Sequence, residues 1–582
     1  MDKVTITING QQITVPKDYT VMRAAEDLGI EVPRLCFLKD INETSACRLC
    51  VVDVKNMRGL KNSCTLAVDD GMEVETNTQE IHDSIVANLQ LLAANHIFEC
   101  WACERENSCE LLDLMRRFNV DNVFGENLFF DRKERLINDT SSAIVLDSGK
   151  CILCGRCVNA CEKATGLGIL AFNERGQDTY IGPANFHGME DSGCIYCGAC
   201  IQACPVAAIK EKSHIDFVLD ALRDKNKKVV VSVAPSVTVT LGEEFGAEIG
   251  TNVEGKLYTS LQKVGFDEVM DLTFATDFSV VEEATEFIHR LKNDGPLPMF
   301  TSCSPGWINY IEQYESEYLP HLSSAKSPQQ VSGSLVKHYY AEKLGYHKEN
   351  IVYVTIMPCI AKKHEADREQ MKYQGVKDVD YVLTTREYAR LLKRKGIRFM
   401  SLSDGEPYGT LAELTKTPLQ PHLEAGLIES TLHTVSHLLE EKPAAIEFKA
   451  ARGMKDIKEA TYRASGMDIN IAVVHGGMNI QDFFQHIKKT KKTYHYVEFM
   501  ACSDGCVAGG GQPIQPAVVQ DNIDIVGLRL EALHNLEHSK ETREVGLADN
   551  VKAIYDNYLT KPGSTKAKTL LHTTYQERKF YK

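Results

Sequence analysis

The cysteines constrain this chain more than any other feature. There are nineteen in 582 residues, and fifteen of them lie at or before Cys204 at short, regular spacings. A secreted disulfide framework is the first reading to test, but those chains are usually short. The N-terminus, MDKVTITINGQQITVPKDYTV, alternates like a strand and has no secretory apolar core. In a reducing compartment, C-x2-C spacing favours metal or redox chemistry, so the chain reads as cytoplasmic. Zinc competes with iron–sulfur at each site and is weighed site by site.

The first set is Cys36, Cys47, Cys50 and Cys64. One long gap, one tight pair and one distant fourth ligand resemble the plant-type [2Fe–2S] pattern with altered loops. Zinc would favour two matched pairs, and the sequence shows one. Ahead of this set, Asn9-Gly10 between two alternating segments predicts a hairpin, and a helix follows over Val21–Leu28. The stretch 84–100 reads as helical, carries His96 and ends at Cys100, with Cys103 and Cys109 beyond. Three cysteines leave a tetrahedral set one ligand short, and a histidine four residues upstream can complete it for an iron–sulfur cluster or for zinc. Next come Cys151, Cys154, Cys157 and Cys161, repeated as Cys194, Cys197, Cys200 and Cys204 with Pro205 following. This is the two-cluster bacterial ferredoxin spacing, in which the fourth cysteine of each run serves the other cluster. The expected sets are Cys151, Cys154, Cys157 with Cys204, and Cys194, Cys197, Cys200 with Cys161. Together these sites imply one [2Fe–2S] and three [4Fe–4S] clusters, a wire for electrons.

A chain this long folds as several domains. The expected architecture is multidomain α+β and α/β. Ferredoxin-like modules at 1–80, 81–125 and 126–213 precede a large α/β domain at 214–582. In that last domain, strand-like runs such as KVVVSVAPSV, IVYVTIMPC and INIAVVHGG alternate with amphipathic stretches, which predicts parallel sheet. No phosphate-binding loop and no dinucleotide fingerprint occur, so neither a P-loop nucleotide nor NAD or FAD is expected. The formal charge of −15 argues against nucleic acid as a partner. No apolar run is long enough to span a bilayer.

The four remaining cysteines occupy three distant segments: TSCSPGW with Cys303, MPCIAKKHEA with Cys359, and EFMACSDGCVAGGGQP with Cys502 and Cys506. Each alone could be a buried free cysteine. Together the segments resemble the three signature motifs of the iron-only ([FeFe]) hydrogenases. The N-terminal modules are similar to those of the same family and of the large iron–sulfur subunit of respiratory complex I, where one [4Fe–4S] site uses one histidine and three cysteines. The resemblance covers nearly the whole chain, including the tail around IYDNYL and LLHTTY. It implies an H-cluster: a [4Fe–4S] cubane bridged by a cysteine to a diiron unit with CO, CN⁻ and azadithiolate ligands. The implied reaction is 2H⁺ + 2e⁻ ⇌ H₂.

The resemblance also implies roles. Cys359, Cys502 and Cys506 match cubane ligands, with Cys506 the bridge, and Lys362 matches the lysine that bonds a cyanide. Ser236 and Gln329 match polar groups around the diiron unit, and Met357 and Met500 its thioether wall. Cys303, Glu283, Ser323, Glu286 and Arg290 match the proton path. Without the family, Glu283, Glu286 and Arg290 would read as a solvated helix face with an i,i+4 ion pair, and Lys362 as a surface lysine like its neighbour Lys363. The implied partners are ferredoxin or a similar low-potential carrier, and H-cluster maturation proteins.

The chain departs from the family in three places. The first motif usually reads T-S-C-C-P, and its second cysteine is the fourth cubane ligand; here that position is Ser304. Either the serine oxygen ligates, or Cys303 shifts to ligate, or the cubane keeps an open site or does not form. Thiolate is the better iron–sulfur ligand. The glycine-rich stretch that closes over the diiron unit is absent between residues 400 and 435. In the third motif Ser503 and Asp504 stand where proline and glycine are common. These departures leave an alternative to an active hydrogenase: a relative with an altered H-cluster acting as a redox or H₂ sensor or an electron-transfer subunit. A third reading, a fragment-like subunit of a larger dehydrogenase, would use only the N-terminal modules.

Overall fold

The computed structural model describes residues 2–120, 135–416, 427–451, 454–490, 492–540 and 548–580. Its N-terminal sheet has five strands in the order Gln11–Pro16, Lys3–Ile8, Glu73–Glu75, Val51–Val54, Lys61–Asn62. The predicted hairpin forms: Asn9 and Gly10 both take positive φ, 48° and 77°, as a two-residue turn between right-twisted strands requires. The predicted helix runs Val21–Asp27, capped by Thr20, whose hydroxyl accepts from Arg23 N–H.

The helix read over 84–100 is shorter at its end than the sequence suggests. It spans Gln79–Ala94 and stops before His96. Ile97 N–H bonds across to the Gly149 carbonyl instead of back four residues. That long-range bond turns the chain and carries His96 and the cysteines after it to the edge of the next module.

Two sheets build the C-terminal domain. One is fully parallel, in the order Glu268–Asp271, Lys228–Val233, Ile351–Met357, Tyr381–Thr384. Its central strands read as near-continuous apolar runs because both faces are covered; Val229, Val230 and Val231 are buried, as is all of Ile351–Met357. The second sheet is mixed. Met299–Phe300, Tyr496–Met500 and Met467–His475 run parallel, but Met454–Ala464 returns antiparallel through a tight turn with Ser465 and Gly466 at positive φ.

The three motif segments leave the carboxyl ends of strands Met299–Phe300, Ile351–Met357 and Tyr496–Met500, and the Ala234–Ser236 turn leaves the end of Lys228–Val233. Ligands of α/β sheets bind at such carboxyl ends. Pro305, Pro235 and Pro328 sit in the first turn of the helices that follow their loops, where a missing N–H costs nothing.

The Gly509-Gly510-Gly511 run explains itself sterically. A Cβ on Gly509 would stand 2.4 Å from the Pro358 carbonyl oxygen, and one on Gly511 2.8 Å from the same atom. A Cβ on Gly510 would stand 2.4 Å from the Cys197 carbonyl oxygen. The third motif is thus pressed between the second motif and the ferredoxin module. Gln202 Nε2 reinforces that seam by donating to the carbonyls of Gly509 and Gln512, at 3.3 and 3.1 Å. Among the described residues no helix is long and apolar enough to cross a membrane.

Gly510→Ala is expected to lower stability by about 1–3 kcal/mol through overpacking. A thermal melt checks this; an unchanged midpoint would mean the seam opens freely.

Candidate active site and cluster pockets

In the first module the four thiols meet as two pairs. Cys47 N–H donates to Cys36 Sγ at 3.4 Å, and Cys50 Sγ lies 3.3 Å from Cys64 Sγ. All four are buried. The hydrogen bond from Cys36 holds the Cys47 thiol below its usual range, while Cys36 is pushed up by the same contact. Two pairs of soft donors suit two irons with two thiolates each.

His96 is buried, and its Nδ1 lies 3.1 Å from the Lys150 carbonyl oxygen. A carbonyl only accepts, so Nδ1 carries the proton and Nε2 keeps its lone pair. Burial pushes the imidazole down to about 4, which keeps it neutral, the form a metal takes. Cys103 lies within electrostatic reach of both Cys100 and Cys109.

In the two ferredoxin runs, thiols of one run bear on thiols of the other. Cys157 is pushed well up, by burial first and then by Cys154, Cys204 and Cys151. Cys200 is pushed up by burial and then by Cys197, Cys194 and Cys161. Buried thiols raised in this way hold their protons until a metal displaces them. Among the described residues no three His, Cys, Asp or Glu side chains stand at single-ion spacing.

At the strand ends, Cys359, Cys502 and Cys506 converge. After burial, the charges that bear on Cys502 are Cys359, Cys197 and Cys506, in that order. Cys197 belongs to the last accessory run, so that pocket and the terminal thiols are electrostatic neighbours. Cys506 is the exposed member of the three, yet the protein around its thiol raises it, with Cys359 adding to that and Lys362 opposing.

Cys303 faces another way. Burial pushes its thiol well up, and Glu498 and Glu283 add to that while Lys362 opposes. Beyond it lies the Thr273–Lys292 helix. Glu283 and Arg290 are buried, which corrects the solvated-face reading. Burial pushes the Glu283 carboxyl up to about 8, the Glu286 charge adds to it, and Ser323 and Tyr496 oppose. Glu283 Oε1 has no hydrogen-bond partner among the described residues. Ser323 Oγ donates to Glu286 Oε2 at 3.2 Å. Arg290 grips Glu286 Oε1 at 2.5 Å and donates to the carbonyls of Pro296, Pro320, His321 and Leu322.

Lys362 and Lys363 are both buried, so neither is a surface lysine. Lys363 pairs with Glu387 at 2.8 Å on the side away from the thiols. Lys362 Nζ donates to the Cys303 carbonyl at 3.1 Å and to Glu365 at 3.0 Å. Glu365, missed from sequence, was legible as the i+3 neighbour of Lys362. It also accepts from Ser327, Gln329 and Gln330. Gln329 is satisfied on both sides, since Thr355 Oγ1 donates to its Oε1 at 3.0 Å. Met357 is buried and Met500 half-buried. Ser236 is buried, and its hydroxyl has no partner among the described residues, as suits a group awaiting a polar ligand.

Ser304 stands at the N-cap position of the Pro305–Tyr314 helix without a side-chain capping bond, and its Oγ accepts from Ala501 N–H at 3.2 Å. Asp504 is exposed. Of the stretch lacking the glycine-rich wall, residues 417–426 lie outside the described residues. Glu498, also missed, is buried; burial raises its carboxyl to about 7 while Ile428 N–H bonds it.

Comparison with known proteins agrees with this geometry. Residues 227–510 match the family described as iron only hydrogenase large subunit, C-terminal domain, and 523–578 match iron hydrogenase small subunit. Residues 1–79 match a 2Fe-2S iron-sulfur cluster binding domain, 87–123 the NADH-ubiquinone oxidoreductase-G iron-sulfur binding region, and 150–208 a 4Fe-4S dicluster domain. Iron hydrogenase 1 of Clostridium pasteurianum is 39% identical over 98% of this chain and 100% of its own length. The NADP-reducing hydrogenase subunit HndD of Solidesulfovibrio fructosivorans is 36% identical over 99% of this chain and all of its own. A variant of the [FeFe]-hydrogenase HydA1 from Chlamydomonas reinhardtii superposes with a TM-score of 0.57 at 31% identity, covering 63% of this chain and 99% of that one. Sequence, fold and site therefore agree that this chain belongs to the iron-only hydrogenase family.

Proposed function

We propose that this protein catalyses the reversible reduction of protons to H₂, with electrons passed through one [2Fe–2S] and three [4Fe–4S] clusters. The observation that carries the reading is the position of Cys303. Its thiol is within electrostatic reach both of the buried carboxylates Glu498 and Glu283 and of Lys362 and Cys506. When bound, the H-cluster supplies the iron centre at which protons and electrons combine. Cys359, Cys502 and Cys506 are the thiols that would hold it.

The protein's own groups then move the protons. Glu283 is pushed up to about 8, so it carries a proton near neutral pH and donates where an ordinary glutamate would not. Ser323 bonds Glu286 and bears on the Glu283 carboxyl, and Arg290 fixes Glu286 in place. Glu365 neutralises Lys362, so the site keeps a buried cation without an unpaired charge. The proposed divisions are 1–80, 81–125 and 126–213 for the three cluster modules and 214–582 for the H-cluster domain. Ferredoxin or a similar low-potential carrier is the proposed electron partner, and maturation proteins would insert the diiron unit. The reduced, cluster-bearing thiols fit a cytoplasmic setting.

One observation favours the sensor or electron-transfer reading. Ser304 offers oxygen where the family pattern expects sulfur, and that oxygen already bonds Ala501 N–H.

After anaerobic maturation the protein is expected to show infrared bands of bound CO and CN⁻ and to evolve H₂ from a reduced low-potential donor. Full accessory clusters without those bands would sink the enzyme reading and leave the alternative. Separately, His96→Ala is expected to remove or alter one EPR-detectable [4Fe–4S] signal; all signals intact would exclude His96 as an essential ligand.

A further inference from the structure

The C-terminal tail carries a histidine that the relay described above does not use. Its backbone is stitched to the Ser324–Lys326 segment: Thr573 N–H donates to the Ser324 carbonyl and Lys326 N–H to the Leu571 carbonyl, both at 2.8 Å. This fixes His572 between two carboxylates of the Thr273–Lys292 helix. Its Nδ1 lies 2.7 Å from Ser324 Oγ, and that same hydroxyl lies 3.0 Å from Glu286 Oε2. On the other side, His572 Nε2 lies 2.9 Å from Glu282 Oε2. The imidazole is only 8% exposed and the Glu282 side chain 1%.

Counting donors constrains where the protons sit. Glu282 accepts from Tyr555 O–H at 2.7 Å and from Gly563 N–H at 2.8 Å, as an ionised carboxylate does. Its remaining contact is His572 Nε2, which therefore donates. Glu286 accepts from Arg290, Ser323 Oγ and Ser324 N–H, so it too is built as an anion. Ser324 has one hydroxyl proton. If that proton points to Glu286, His572 Nδ1 must donate to the hydroxyl oxygen. Both ring nitrogens then carry protons.

We propose that His572 stores a second proton beside the relay and delivers it to Glu286 through Ser324. The inference rests on the proton-relay reading given above. In the step, the Nδ1–H bond of His572 breaks as an O–H bond forms at Ser324 Oγ. The original Ser324 proton leaves for Glu286 Oε2, and the imidazole becomes neutral. No electron moves. Glu282 is too buried to pass the proton on to solvent, so the arm is a side store refilled through Glu286 and not a second exit. Formation of H₂ consumes two protons, and the arrangement keeps one in reserve next to the other's path. The charged or titrating groups facing this arm are Glu282, Glu286 and Arg290 on the helix, Tyr555 opposite and Tyr575 on the tail. His572 is thus a positioning and proton-holding residue that acts through Glu286.

The test uses the matured full-length protein with H572Q, E282Q, Y555F and E283Q compared side by side. H572Q is expected to lower H₂ evolution about tenfold at about pH 8.5 and less than about twofold at about pH 6, where bulk protons refill Glu286 directly. E282Q should shift the profile the same way and carries the test if H572Q fails to fold. Y555F removes a donor to Glu282 and so weakens the carboxylate that holds the His572 proton, and its profile should shift part of the way toward that of E282Q. Selective ¹⁵N-histidine NMR should show His572 with both ring nitrogens protonated. Parent-like pH profiles in H572Q and E282Q, a Y555F profile shifted as far as theirs, or a singly protonated His572 would each overturn the store. If E283Q leaves turnover untouched, the relay reading itself fails; if E283Q abolishes turnover while H572Q changes nothing, only the store fails.

Discussion

Close backbone contact at the Gly509–Gly511 run is the constraint on which the rest of the structure depends. Two glycines let the third motif lie on the Pro358 carbonyl, and the middle one lets it lie on the Cys197 carbonyl. No side chain fits at either place. That single packing event joins strands from two sheets and joins both to the ferredoxin module. It is also why Cys502 senses Cys197. Electron-carrying modules and a terminal site can be linked by any tether, but only contact at this range makes them neighbours.

The second organising fact is how buried charge is handled. Several ionised groups sit deep in the C-terminal domain, and each is paired. Lys362 pairs with Glu365, Lys363 with Glu387, Lys326 with Asp378 and Arg368 with Glu312. Breaking any of these would strand a charge at a cost of several kcal/mol, roughly 3–5. Glu283 and Glu498 differ. Among the described residues Glu283 has no cationic partner and Glu498 has only His475 at 4.0 Å, an imidazole that burial holds down to about 4; burial lifts both carboxyls, to about 8 and about 7. Groups that ionise near neutral pH are useful for moving protons, and these two flank Cys303.

Much of this was legible from local signals. Asn9-Gly10 gave the hairpin because its backbone chemistry is local. The cysteine spacings pointed to candidate cluster pockets because most of the ligands in each run lie within one short loop. The strand runs gave the parallel sheet at the core. What failed depended on long-range contacts. The helix before His96 ends early because Ile97 bonds to Gly149, more than fifty residues away in sequence. Lys363 read as a surface residue because its partner Glu387 lies on another helix. Glu283 and Arg290 read as solvated because their covering elements come from the 296–323 segment and the tail. Glu365 and Glu498 lay inside quoted motifs; the i+3 spacing to Lys362 marked Glu365, while nothing local marked Glu498. Family resemblance supplied roles for Glu283 and Arg290 that periodicity could not.

The central claim is that the electron path and the terminal thiol site are in direct contact. EPR of the matured, reduced protein tests it most directly, through the proposed cluster of Cys194, Cys197, Cys200 and Cys161 and the one proposed at Cys359, Cys502 and Cys506. The account predicts a spin–spin interaction that splits or broadens both signals and is lost when Cys502 is replaced by alanine. Two sharp, independent signals that relax as isolated clusters would contradict it.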